Sequence, residues 1–125
     1  MTALDHVVIA VSDWERSNAF YRDVLGAEIE QRDEWFAHYR FGDWMLNVHG
    51  PGFEGLNAAL PVAPGGSDLC FVWPGTLAEA VEHLRGHGVE IVGENDGAFA
   101  RGRARSVYFR DPDGSLLELV SYLAA

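Results

Sequence analysis

Apolar and polar positions alternate at the start of this chain. Val7, Ile9 and Val11 fall on one face of an extended segment, and His6, Val8 and Ala10 fall on the other. The pattern predicts a strand. A longer period follows, with Phe20, Tyr21, Val24 and Leu25 placed as on one side of a helix. Ser12 and Glu15 are spaced as a capping box at its start, and Gly26 is placed to end it in the left-handed conformation that only glycine adopts cheaply. Extended runs return at about 27–31 and 35–41, Gly42-Asp43 reads as a turn, and residues 44–49 read as another strand. The predicted order is β-α-β-β-β.

Residues 50–66 carry Pro51, Pro61, Pro64 and several glycines, the composition of a linker. The order then repeats. Residues 68–73 read as a strand, Thr76 and Glu79 as a second capping box, and Leu77, Ala80, Val81 and Leu84 as one face of a helix that Gly88 ends. Residues 89–93 and 105–109 read as extended, Asp113-Gly114 as a turn, and 115–122 as the last strand. His6 and Asp68 open matching strands 62 residues apart, and Gly26-Ala27-Glu28-Ile29 matches Gly88-Val89-Glu90-Ile91 at the same interval. A duplicated unit of this size cannot bury its apolar face alone, so its copies are expected to form one domain. Module one spans 1–50, a linker 51–66, and module two 67–125. The fold class is α+β, two βαβββ modules forming a cupped, partly open eight-stranded β-barrel.

Aligning Trp44 with Ser115 places Asn47 at the same point of the repeat as Glu118. Alternation sends Leu46 and Val48 to the helix side with Leu117 and Leu119. His6, Asn47, Asp68 and Glu118 then share the opposite, non-helix faces.

At 125 residues, with 48% hydrophobic and 22% charged residues, the chain has the makeup of one globular domain. A net charge of −10 argues against nucleic acid, which needs clustered basic residues. Arg101, Arg103 and Arg105 are the local exception, readable as a spot for one small anion or as a solvated edge. The single cysteine, Cys70, lies in an apolar run and reads as a packed, reduced thiol. No leader-like start and no membrane-length apolar run is visible, so a cytoplasmic protein with no membrane partner is expected.

A carboxylate in a run such as Leu116-Leu117-Glu118-Leu119 needs a partner, because an unpaired buried charge costs several kcal/mol. A divalent cation held by neutral His6 and ionised Asp68 and Glu118 meets that need, and oxygen-rich ligation suits Mn, Fe, Ni, Co or Zn. Each residue also has a plainer reading: His6 as a hydrogen-bonded strand end, Asp68 as a turn residue, Glu118 as a partner of Arg103 or Arg40. His49, two residues beyond Asn47, is a candidate general acid/base or a strand-end histidine in solvent. His83 and His87 read as surface residues, and His38 has no partner visible in the sequence.

The segments Leu4-Asp5-His6-Val7-Val8-Ile9-Ala10-Val11, Phe20-Tyr21 through Leu25-Gly26, and Tyr108-Phe109-Arg110-Asp111-Pro112-Asp113-Gly114-Ser115-Leu116-Leu117-Glu118 resemble the vicinal oxygen chelate superfamily. That group includes glyoxalase I, extradiol dioxygenases, fosfomycin-resistance thiol transferases and bleomycin-resistance proteins. The resemblance covers essentially the whole chain and is closest to uncharacterised glyoxalase-domain proteins. It implies paired βαβββ modules, usually in a homodimer, and a metal that chelates two adjacent oxygens of a small substrate for lyase/isomerase, thiol-transfer or dioxygenase chemistry. By position, His6 and Glu118 match the family's metal ligands. Asp68 stands where catalytic members usually have His or Gln, and Asn47 where glyoxalase I has a carboxylate. On this reading Glu118 and His49 move protons, while Asn47, Arg103 and Tyr108 line the substrate pocket. The alternative is a metal-free drug- or metabolite-binding protein of the bleomycin-binding type.

Overall fold

The computed structural model describes residues 1–123, so the last two residues of the expected second module lie outside it. The chain divides into two compact units. Residues 1–67 with the short segment 112–114 make the first; Asp68–Asp111 and the chain from Ser115 onward make the second.

In the first unit the order is β1 (His6–Ala10), α1 (Trp14–Asp23), β2 (Glu28–Gln31), β3 (Phe36–Phe41) and β4 (Trp44–His49). The sheet runs β1-β4-β3-β2, with β1 parallel to β4 and the other pairs antiparallel. Ile9, Tyr21, Ala37, Tyr39, Leu46 and Val48 are buried. Each large apolar side chain among them contributes about 1.5–3 kcal/mol by leaving water. The Tyr39 hydroxyl is satisfied inside this core, donating to Asn18 Oδ1 at 2.6 Å and lying 2.8 Å from Ser17 Oγ. The expected cap of α1 moves by one residue. Asp13, not Ser12, accepts from the Arg16 amide, at 3.0 Å. Ser12 is engaged elsewhere, its amide donating to Asp113 Oδ2 at 3.1 Å and its hydroxyl donating to Asp113 Oδ1. Gly26 has φ +77°, as the helix end requires.

The second unit repeats the order as β5 (Asp68–Val72), α2 (Leu77–Gly86), β6 (Gly93–Phe99), β7 (Gly102–Arg110) and β8 (Leu116–Ser121), in a sheet β5-β8-β7-β6. The α+β class and the duplicated βαβββ order are those expected. The Thr76–Glu79 capping box forms as read, and Leu77, Ala80 and Leu84 bury the inner face of α2. The register repeats with the fold. His6 pairs with Met45 as Asp68 pairs with Leu116, and Val8 with Asn47 as Cys70 with Glu118.

The copies differ most in their outer hairpins. The extended run expected at 89–93 forms a strand only from Gly93, and that strand continues to Phe99. Its Gly-Glu-Asn-Asp-Gly core has little strand preference, and pairing with β7 along its whole length holds it.

The turn between β7 and β8 lies within the segment 108–118 that carries part of the family resemblance. The Ser115 amide donates to Asp111 Oδ1 at 3.0 Å, and Gly114 adopts φ +93°.

Candidate functional site

Period-two alternation gives the first unit a polar face opposite α1. His6, Val8 and Ala10 share it with Met45, Asn47 and His49 of β4, and with Arg40, His38 and Phe36 across β3. Asn47 therefore sits between Val8 and His38, and its Oδ1 is buried with no hydrogen-bond partner. His49 is buried rather than solvated. The Phe53 ring stacks on it at 3.6 Å between centroids and 10° between planes, and its Nδ1 has no partner. Burial pushes the His49 imidazole below its ordinary pKa, which keeps it neutral and able to accept a proton.

His38 does have partners in space: Arg32 Nε donates to its Nδ1 at 3.3 Å, and Glu30 lies at 3.8 Å. Desolvation first, then the Arg32 and Arg40 charges, lower its pKa. Sequence reading missed this because the cluster spans a hairpin whose register is set only by pairing.

On the corresponding face of the second unit, Asp68 and Cys70 of β5 share a side with Glu118 of β8 and with Tyr108 and Ser106 of β7. Glu118 is 8% exposed and accepts a hydrogen bond from the Ser106 hydroxyl, a partner no sequence pattern announced. The two arginines offered as its partners are engaged elsewhere. Arg40 pairs with Glu30 at 2.6 Å and Arg103 with Asp96 at 3.2 Å.

Arg103 lies five residues before Tyr108 on β7, hence on the opposite, helix-side face, and it is largely exposed. The structure does not bring it to Glu118.

Cys70 corrects a second expectation. Leu69 and Phe71 take the helix side, so the thiol stands exposed on the polar face rather than packed. Desolvation, with Glu118 and then Asp68 beside it, pushes its pKa up to about 12, which leaves it protonated and a poor nucleophile. Desolvation and the same carboxylates raise Tyr108, keeping its phenol a hydrogen-bond donor.

His83, expected at the surface, is half-buried against Trp73, with ring centroids 4.9 Å apart, while His87 is exposed.

The donor types suit a divalent metal. His6 Nδ1 is paired with Asp5 Oδ2 at 2.8 Å, and in the tautomer that donates to this carboxylate the other ring nitrogen, Nε2, is an acceptor. Asp68 and Glu118 concentrate negative charge with no cation pairing either among the described residues. His6 belongs to the first unit, Asp68 and Glu118 to the second. Among the described residues, no three His, Cys, Asp or Glu side chains lie close enough together to hold a metal ion.

The family model for the Glyoxalase/Bleomycin resistance protein/Dioxygenase superfamily matches residues 3–119. A glyoxalase domain-containing protein of Mycosarcoma maydis is 39% identical over 121 residues, covering 96% of this chain and 68% of that protein. A glutathione transferase of Serratia marcescens is 32% identical over 132 residues, covering 100% of this chain and 85% of that one. The crystal structure of a virulence protein from Salmonella typhimurium superposes with a TM-score of 0.88 at 32% identity, over 98% of each chain.

Proposed function

The chain belongs to the Glyoxalase/Bleomycin resistance protein/Dioxygenase superfamily, and on that premise we propose that it is a cytoplasmic, metal-dependent enzyme acting on a small molecule with two adjacent oxygens. The superfamily includes metal-dependent glyoxalases, dioxygenases and thiol transferases, and the reaction proposed here falls within that set. The observation that carries the reading is Glu118. It is a buried carboxylate beside Asp68, at the family's ligand position, and it adds to the desolvation that pushes the Cys70 thiol up to about 12. A site of that character calls for a cation.

His6, Asp68 and Glu118 would hold the metal, one of Mn, Fe, Ni, Co or Zn, which when bound supplies Lewis-acid polarisation of substrate oxygens. Neutral His49 serves as proton acceptor, with Glu118 the second proton-handling group. Protonated Tyr108 donates a hydrogen bond toward a developing oxyanion, and Asn47 Oδ1 accepts one from a substrate hydroxyl. Arg103 is left out of this assignment because it occupies the other face of β7. The family resemblance also supports a homodimer, which sedimentation would show as twice the 13.8 kDa chain mass.

Metal analysis of protein purified without chelator tests the reading. Stoichiometric transition metal that is lost in His6→Ala and Glu118→Gln is the expected result. Metal-free wild-type protein that stays folded and gains no activity on metal addition would overturn it and favour the bleomycin-binding type of function.

A further inference from the structure

At the edge of the first unit, where β3 begins and β4 ends, the chain builds a recess of about 410 Å³ that the proposed chemistry does not use. Its walls are Trp35, Phe36 and Phe53, its floor includes Gly52, and the charged side chains lining it are both carboxylates, Asp33 and Glu54. No arginine lines it, and its volume lies at the lower end of those that enclose small ligands.

The walls are held from behind. Asp33 Oδ1 accepts the Trp35 and Phe36 amides at 2.8 and 3.0 Å, which shapes the turn carrying both rings. The Trp35 carbonyl accepts the Gly50 amide at 2.7 Å, and the neighbouring Glu34 carbonyl accepts Trp14 Nε1 at 2.7 Å. A side chain at residue 50 would run into the Trp14 ring, so only glycine allows this approach. Phe53 folds back through the positive φ of Gly52 and lies flat on buried His49, whose Nδ1 has no hydrogen-bond partner. The recess is therefore preformed, and little ordering entropy is left for a ligand to overcome.

Aromatic faces carry negative electrostatic potential, and carboxylates at the rim add to it. The pairing selects by charge: it attracts a cation with an apolar surface and repels an anion. We propose that this recess binds a small organic cation, an alkyl- or aryl-substituted ammonium group, against Trp35 and Phe53 with Asp33 and Glu54 as counter-charges. The inference goes beyond the metal chemistry and does not depend on it.

The test is an NMR titration of the purified chain, with chelator present, using benzyltrimethylammonium as the probe. Benzyl alcohol and benzoate supply neutral and anionic rings for comparison. Saturable shifts centred on the Trp35 indole and the Phe36 and Phe53 amides are expected for the cation, with benzoate at least roughly ten-fold weaker. Glu54→Gln, an exposed substitution that leaves the fold intact, and Trp35→Leu should each weaken the cation roughly three- to ten-fold. Circular dichroism confirms that each variant is folded. Equal affinity for the three probes, shifts lying elsewhere, or cation affinity unchanged in folded Glu54→Gln and Trp35→Leu would each overturn the proposal.

Discussion

The two units share a strand register and differ in what they put on it. Leu46 and Leu117 occupy the same place and are both buried, as are Val48 and Leu119. One position away on the same strands the copies part. The first unit presents imidazoles, an amide and aromatic rings; the second presents carboxylates, a thiol and hydroxyls. Duplication kept what packing requires, since a changed core volume costs stability directly. It left the opposite faces to diverge, because they are not bound by the same packing against a helix. Two copies of one sheet thereby offer nitrogen donors on one and oxygen donors on the other, which two identical copies could not supply.

The sharpest way to break this comparison is at Asn47 and Glu118, which hold the same place. Glu118→Gln should lower metal affinity on the order of a hundred-fold or more, whereas Asn47→Ala should lower it roughly ten-fold or less, both read by metal titration. Equal losses would mean that the copies contribute alike. Leu46→Ala and Leu117→Ala test what the copies share. Each is expected to cost about 2–5 kcal/mol in denaturant unfolding, with similar values for the two. The caps come next. Thr76→Ala and Asp13→Ala should each cost about 1 kcal/mol, while Ser12→Ala should leave the α1 cap intact and lose only its link to Asp113.

The smallest expected effect is a pH dependence confined to the first unit. Burial lowers the His49 pKa below its ordinary value of 6.5, and desolvation with two arginines lowers that of His38. Below about 6.5 the unfolded chain binds protons that the folded chain refuses, so stability is lost as pH falls from about 6.5 toward the depressed folded values and levels off beneath them. Val120 stands where His49 would be in the second unit, and it does not titrate. His49→Gln should flatten the loss of thermal stability between pH 7.5 and 5.5, and an unchanged slope would remove His49 from this role.

The duplicated element order was legible because period and punctuation carry it: alternation for the strands, Gly26 and Gly88 at the helix ends, Thr76 with Glu79 at a helix start. The polar positions of β1, β4, β5 and β8 followed from alternation and the interval between copies. β6 was not legible, because its Glu-Asn-Asp-Gly core lacks the β-branched residues that mark strands. The α1 cap was misplaced because Ser12 and Asp13 are both good caps, and the choice rests on Asp113, 101 residues away. Arg103 illustrates a different limit. The resemblance put it in the substrate pocket with Tyr108, and β7 puts Arg103 and Arg105 on the face away from Tyr108.

By itself, then, the sequence determined the α+β class, the repeated βαβββ order, and the presence of His6, Asn47, Asp68 and Glu118 on faces turned from the helices. These depend on local periodicity, which each residue carries with it. The tertiary structure alone decided that Ser106 bonds Glu118, that Cys70 stands exposed between carboxylates, and that Phe53 covers His49 beside an aromatic recess. Those facts depend on which strands pair and how a turn folds back. Such choices are made by the summed burial of many residues rather than by any one segment.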